Sequence, residues 1–117
     1  MIYRNVLIVG QPSEHLDVLL DIIYLSGYHP VIRNSLERLT SVIQKHGFCF
    51  IVVLCDRNAV DSIETVLTIR DYEISNPVIV VDTSPDAQIS RVLNDLMNVF
   101  YVPFEKREII HVLESMK

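Results

Sequence analysis

The stretch FCFIVVLCDRN, residues 48–58, decides the fold. β-Branched residues crowd its centre, and the run from Cys49 to Cys55 is long enough for a strand that is buried on both faces. Such strands are typical of the middle of a parallel sheet, because helices cover both of its sides. Asp56 follows at the carboxyl end of the strand, where α/β proteins place their chemistry. Two roles are therefore open for Asp56, a reactive carboxylate or the first polar residue of a loop.

Strand-like runs and helix-like spacing alternate on both sides of this stretch. Further strands are predicted at residues 5–9, 29–33, 77–81 and 99–102. The helices that follow the five strands are predicted to begin after Ser13, Ser35, Asp61 or Ser62, Thr83 or Ser84, and Glu105. Five strands in strict alternation with five helices predict a three-layer α/β/α fold around a doubly wound, five-stranded parallel sheet. No linker interrupts the pattern, so residues 1–117 are predicted to form a single domain.

Composition limits the class of protein. The chain has 117 residues, of which 50% are hydrophobic and 21% charged, enough for one domain with its own core. A formal net charge of -5 leaves no excess of Lys and Arg for a phosphate backbone, so direct binding of nucleic acid is not expected. Without an apolar run of about 18–20 residues or a signal peptide, the chain is expected to be cytoplasmic and to make no membrane contact. Cys49 and Cys55 are predicted to be free, buried thiols.

Motifs for nucleotides and metals are missing from the sequence. The chain has three glycines, and none of them follows the spacing of a G-x-G-x-x-G or P-loop motif. Its four histidines, at positions 15, 29, 46 and 111, have no metal-ligand spacing and are interpreted as surface residues. The sequence therefore predicts no cofactor.

Four stretches carry a resemblance to a known family. They are NVLIVGQPSEHLDVLLDIIYLSGYHP at 5–30, FCFIVVL at 48–54, NPVIVVDTS at 76–84 and FYVPFEKREIIHVL at 100–113. Their order and spacing resemble the receiver domains of two-component response regulators over essentially the whole chain. The resemblance implies a CheY-like, flavodoxin-like sheet with the strand order 2-1-3-4-5.

The resemblance also implies a phosphorylation site at the carboxyl edge of the sheet. In the family, two acidic residues and the phosphoaccepting aspartate hold a magnesium ion, and a Ser or Thr and a Lys bind the phosphoryl oxygens. The acidic pair falls here on Gly10 and Gln11, the phosphoacceptor on Leu54, the Ser or Thr on Asp82, the Lys on Val102, and the aromatic switch on Val99. None of these residues supplies the group that the family uses. The resemblance thus implies the fold without the activity: a pseudo-receiver that is not an enzyme and holds no metal.

The replacements themselves have physical consequences. Val102 removes the cation that would offset a phosphoryl group, and Asp82 places a negative charge where a hydroxyl should donate a hydrogen bond. Leu54 and Val102 are expected to close the pocket by apolar contact, worth about 1–2 kcal/mol if fully buried. Such a pocket is expected to hold one fixed conformation.

The remaining acidic residues leave alternatives open. Glu14, Asp56, Asp61 and Asp82 could cluster at the same edge, and Asp56 could then accept a phosphoryl group in a shifted register or join Asp82 around a cation. The interpretation that fits the spacing better makes Asp56 a loop residue, Asp61 a helix cap and Asp82 a turn residue before Pro85. A small-ligand sensor that uses the altered pocket is a third possibility.

A receiver-like domain without its pocket is expected to act by protein–protein interaction, with a signalling or output domain as partner. In the family, the fourth helix, fifth strand and fifth helix form the face used for partners and homodimers. The matching residues, which we call the candidate interaction face, are Arg91, Asn94, Asp95, Tyr101, Lys106 and Arg107. Tyr101 is predicted to be its anchor, since a tyrosine near a sheet edge offers a large ring with a polar tip.

Overall fold

A computed structural model describes residues 4–34, 41–43, 47–56, 59–71, 76–84, 87–96 and 98–116. The elements in chain order are β1 (Asn5–Val9), α1 (Glu14–Leu25), β2 (His29–Arg33), β3 (Phe50–Cys55), α2 (Ala59–Asp71), β4 (Val78–Asp82), α3 (Ala87–Asn94), β5 (Val99–Pro103) and α4 (Lys106–Ser115). The fourth and fifth predicted helices therefore correspond to α3 and α4. Residues 41–43 are also helical, and the rest of the predicted second helix lies outside the described residues.

The five strands form one parallel sheet in the order β2-β1-β3-β4-β5, which confirms the predicted fold class and strand order. β3 lies in the middle and all six of its residues are buried, as its continuous apolar run predicts. Cys55 pairs with Asp82, and Asp82 pairs with Pro103. The carboxyl ends of the strands therefore meet along one edge of the sheet.

Two apolar clusters cover the two faces of the sheet. Cluster A contains Phe50, Val52 and Leu54 of β3 together with buried residues of α1 and α4. Cluster B contains the alternate residues of β3, ending at Cys55, together with buried residues of α2 and α3. Successive side chains of a strand point to opposite faces, so β3 contributes equally to both clusters. The three-layer arrangement follows from this division.

The ends of α1 follow the sequence signals closely. The Oγ atom of Ser13 accepts a hydrogen bond from the backbone N–H of Leu16 at 3.1 Å, as expected of an N-cap. After the helix, Gly27 adopts a φ of 92°, a left-handed conformation that glycine reaches without strain. These two signals fix the helix that follows β1, and with it the position of His15 in the first turn.

Other expectations are wrong in detail. α2 begins at Ala59, so Asp61 lies inside its first turn and not at its N-cap. Both cysteines are among the described residues and neither forms a disulfide, but Cys49 is exposed and only Cys55 is buried, because β3 begins one residue later than predicted.

Among the helices that the structure describes, none has the length and apolar character needed to cross a bilayer.

Candidate functional site

Leu54 fills the carboxyl edge at the position that the resemblance assigns to the phosphoacceptor. It is buried in cluster A, beside the end of β1. A Cβ atom placed on Gly10 would lie 3.1 Å from Leu54 Cβ and 3.8 Å from Leu16 Cδ1. A separation of 3.1 Å is tighter than an ordinary carbon–carbon contact, so a side chain at position 10 would require Leu54 to shift by a few tenths of an ångström.

Val102 lies on the same face of the sheet as Leu54. Leu54 pairs with Val81, and Val81 pairs with Val102, so the three residues form a row across β3, β4 and β5. All three are buried in cluster A. Leu54 and Val102 were expected to contact each other directly. In the structure Val81 lies between them, and the three side chains form one apolar row.

Asp82 is a buried carboxylate with both of its oxygens engaged. Its side chain is 2% exposed. Oδ1 accepts a hydrogen bond from the backbone N–H of Ser84 at 2.9 Å, and Oδ2 accepts one from the hydroxyl of Tyr101 at 2.5 Å. The Ser84 contact confirms that Asp82 forms a turn after β4. Its register with Cys55 puts Asp82 on the face of cluster B, opposite to Leu54.

Asp56 contacts the first turn of α1 and the loop after β4. His15 Nδ1 lies 2.7 Å from Asp56 Oδ1, and the His15 ring meets Phe104 edge to face, with ring centroids 4.9 Å apart. Thr83 Oγ1 donates a hydrogen bond to the backbone carbonyl of Asp56 at 2.8 Å. Asp56 is thus an ordered part of the edge, and it borders an open depression that Pro12, Ser13, Glu14 and His15 also line.

His15 was predicted to be a surface residue, and its side chain is 47% exposed, but its contact with Asp56 was not predicted. Its position is the signal that could have found it, since His15 lies in the first turn of the helix after β1 and Phe104 follows β5 directly. The loops after parallel strands converge at one edge, so residues from both can meet there.

The predicted acidic cluster is only partly assembled. Glu14 and Asp56 border the same depression, whereas Asp82 is buried under Tyr101. Within the described ranges, no group of three or more His, Cys, Asp and Glu side chains is placed to hold a metal ion. Gln11, at the second position of the family's acidic pair, turns away and donates its Nε2 hydrogen to the carbonyl of Asn34 at 2.7 Å.

The candidate interaction face is exposed in part. Its exposed members are Arg91, Asn94, Asp95, Lys106 and Arg107. Tyr101 is half-buried against cluster B, and its hydroxyl donates a hydrogen bond to Asp82. The exposed apolar residues on these elements are Val92 and Phe100, neither of which was predicted as a contact. Val99, the switch position, is buried in cluster B.

Comparison with known proteins supports the fold. The sequence matches no family profile and no curated protein. Among solved structures, HP1043, an orphan response regulator of H. pylori, is similar with a TM-score of 0.71 and 14% identity, over 97% of this chain and 95% of that one. The Vibrio cholerae chemotaxis protein CheY4 is similar with a TM-score of 0.69 and 14% identity, over 99% and 100%.

A third similar structure is an atypical orphan response regulator described as having a phosphorylation-independent regulatory mechanism. It has a TM-score of 0.66 and 14% identity, over 96% of this chain and 93% of that one. At these identities the likeness concerns the fold alone, and it confirms the receiver fold that the sequence predicts.

Leu54 allows a test of how tightly this edge is packed. Leu54→Ala removes a side chain that is 8% exposed and leaves a cavity, so we expect the free energy of unfolding to fall by about 2–4 kcal/mol. Leu67→Ala is the matched control, since Leu67 is 45% exposed and its loss should cost less than about 1 kcal/mol. Urea denaturation followed by circular dichroism measures both. Equal losses would mean that Leu54 does not fill the edge.

Proposed function

We propose that this chain is a receiver-like signalling module that takes no phosphoryl group and acts by binding a protein partner. The observation that carries the proposal is Leu54, an apolar side chain buried at the position where receivers hold the phosphoaccepting aspartate. A leucine has no nucleophilic atom, and Leu54 packs close to Gly10, which has no side chain that could bind a magnesium ion. The module is accordingly not an enzyme and needs no metal cofactor.

The charges at the edge support the same proposal. Asp82 holds a carboxylate where the family presents a hydroxyl, and Val102 supplies no cation. A phosphoryl group at the Leu54 position would find no side-chain cation at position 102 to offset its charge and no hydroxyl at position 82 to donate a hydrogen bond to it. Both Asp82 oxygens already accept hydrogen bonds inside the protein, so the carboxylate is stabilised as it stands.

A protein partner is the best-supported ligand. One of the similar structures is described as phosphorylation-independent, which is a precedent for a receiver fold that works in this way. Exposed arginine and lysine side chains stand beside exposed Phe100 and Val92 on α3, β5 and α4. Aromatic and arginine residues are enriched among the anchors of protein interfaces, so this surface fits a signalling or output domain, or a second copy of the chain. We further propose that the module works in the cytoplasm.

An attempt to phosphorylate the protein tests the proposal that the chain takes no phosphoryl group. The protein is incubated with acetyl phosphate and magnesium beside an active receiver as a positive control, and its intact mass is measured. We expect no gain of a phosphoryl group, because Leu54 cannot accept one and Asp56 is engaged with His15.

Asp56→Ala is the control that distinguishes the proposal from the alternative in which Asp56 accepts the phosphoryl group. A phosphoryl gain by the wild type that disappears in Asp56→Ala would overturn the proposal and identify Asp56 as a phosphoacceptor in a shifted register. The small-ligand alternative uses the open depression beside Asp56, and it requires a metabolite that raises the melting temperature of the wild type but not of this variant.

Two edge strands allow a matched test of the interaction face. Phe100 on β5 is 42% exposed and Ile32 on β2, at the opposite edge of the sheet, is 41% exposed. We expect Phe100→Ser to abolish capture of the partners that wild-type bait retains from its native lysate, and Ile32→Ser to leave it intact, since only Phe100 belongs to the proposed face. Quantitative mass spectrometry measures the capture. Loss of the same partners with Ile32→Ser but not with Phe100→Ser would show that the interface lies at the β2 edge and would contradict the proposed face.

A further inference from the structure

β2 is an edge strand, and no other strand of the described sheet lies on its outer side. An edge strand normally presents backbone N–H and C=O groups that can pair with a strand of another chain. We infer that the β2 edge is closed to such pairing by Pro30, Arg33 and Gln11, so that neither a partner protein nor a second copy of the chain adds a strand to the sheet there. Binding at this edge is then limited to side-chain contacts.

The hydrogen bonds of β2 show which of its residues face outward. The backbone N–H of His29 donates to the carbonyl of Arg4 at 2.8 Å, and the carbonyl of Arg33 accepts a hydrogen bond at 2.9 Å from the residue after β1. Alternate residues of a strand direct their backbone groups to the same side, so the odd-numbered residues of β2 face β1. Pro30 and Ile32 therefore direct their backbone groups away from the sheet.

Both outward-facing residues lack part of the usual pairing capacity. Pro30 has no backbone N–H, so it cannot donate to an added strand. The carbonyl of Ile32 already accepts a hydrogen bond from Nη1 of Arg33 at 2.7 Å. Within β2, the Pro30 carbonyl and the Ile32 N–H remain for an added strand. To form a further bond, that strand must displace the charged donor of Arg33.

The two ends of this edge are closed as well. Before β2, the backbone N–H of Tyr28 donates to the carbonyl of Ile23 in α1 at 3.3 Å. After β2, the carbonyl of Asn34 accepts a hydrogen bond from Nε2 of Gln11 at 2.7 Å. An added strand could therefore not extend its pairing beyond β2 at these two positions. Gln11, which the resemblance places in the acidic pair, instead ties the end of β2 to the loop after β1.

The side chain of Ile32 makes this closure relevant. It is 41% exposed, and a β-branched apolar residue on an edge strand favours pairing with another strand. The net contribution of one backbone hydrogen bond is small, whereas every residue of an added strand loses conformational freedom. A ladder reduced to the Pro30 carbonyl and the Ile32 N–H does not offset that loss.

The closed edge goes beyond the proposed function and does not depend on it. It limits how a second copy of the chain can bind, because two copies cannot extend their sheets through β2. Self-association is left to surfaces that bind through side chains, such as the candidate interaction face.

Backbone amide hydrogen exchange tests the closed edge on the 15N-labelled full chain, measured by NMR over a range of protein concentrations. In the wild type, we expect the outward N–H of Ile32 to exchange fast at every concentration. The amides of Val31 and Arg33, which face β1, should exchange slowly.

A double variant, Pro30→Thr with Arg33→Ala, opens the edge. It restores an N–H at position 30 and releases the carbonyl of Ile32. We expect this variant to self-associate, and its Ile32 amide to exchange about tenfold more slowly as the concentration rises, because the amide becomes bonded to the second copy. If the double variant does not fold, the two substitutions are measured separately, with a smaller effect expected of each.

Arg107→Ala is the control for the loss of one positive charge, since Arg107 is exposed on α4 and lies outside β2. It should leave the exchange of Ile32 fast. Concentration-dependent protection of Ile32 in the wild type would overturn the closed edge, and so would a folded double variant whose Ile32 amide stays unprotected at the highest concentration. Dimers formed through the candidate interaction face would sediment faster without protecting Ile32, so failure of the closed edge is distinguishable from failure of the proposed function.

Discussion

Burial of β3 on both faces is the constraint on which the rest of the structure depends. Its six residues divide alternately between two apolar clusters, and each cluster needs its own layer of helices. Consecutive parallel strands are joined by crossovers, which here are the helices that cover the sheet. Each crossover begins with a loop at the carboxyl end of a strand, so these loops meet at one edge. Leu54 and Cys55 are the last residues of the strand and already point to opposite faces. The chemistry of the edge is therefore divided between the two faces as well.

That division explains how one edge can contain both an apolar closure and a buried carboxylate. On the face of cluster A, Leu54, Val81 and Val102 form a continuous apolar row. On the face of cluster B, Asp82 is buried but receives hydrogen bonds from Ser84 and Tyr101. A buried carboxylate is tolerated when its oxygens are satisfied in this way, and the two arrangements do not compete because the sheet separates them.

The sequence predicts the fold far better than the details of the edge. A central strand such as β3 is buried on both faces, so its continuous apolar run identifies it. The caps at Ser13 and Gly27 are local signals, and both are present in the structure. Tyr101 was predicted to be an anchor of the candidate interaction face, and its bond to Asp82 was not predicted. The hydroxyl of Tyr101 meets Asp82, 19 residues away in the chain, and no local rule encodes that contact. The pairing of His15 with Asp56 is hidden for the same reason, since it joins the first turn of α1 to the loop after β3.

The central claim is that the carboxyl edge is closed to phosphoryl groups and to the magnesium that accompanies them. Backbone amide NMR of the 15N-labelled protein, titrated with beryllofluoride and magnesium, tests it most directly, because this complex mimics a phosphoryl group on an aspartate without needing a reaction. We expect no saturable change at Gly10, Leu54, Asp82 or Val102. A saturable, magnesium-dependent shift of these amides, absent with fluoride alone, would contradict it.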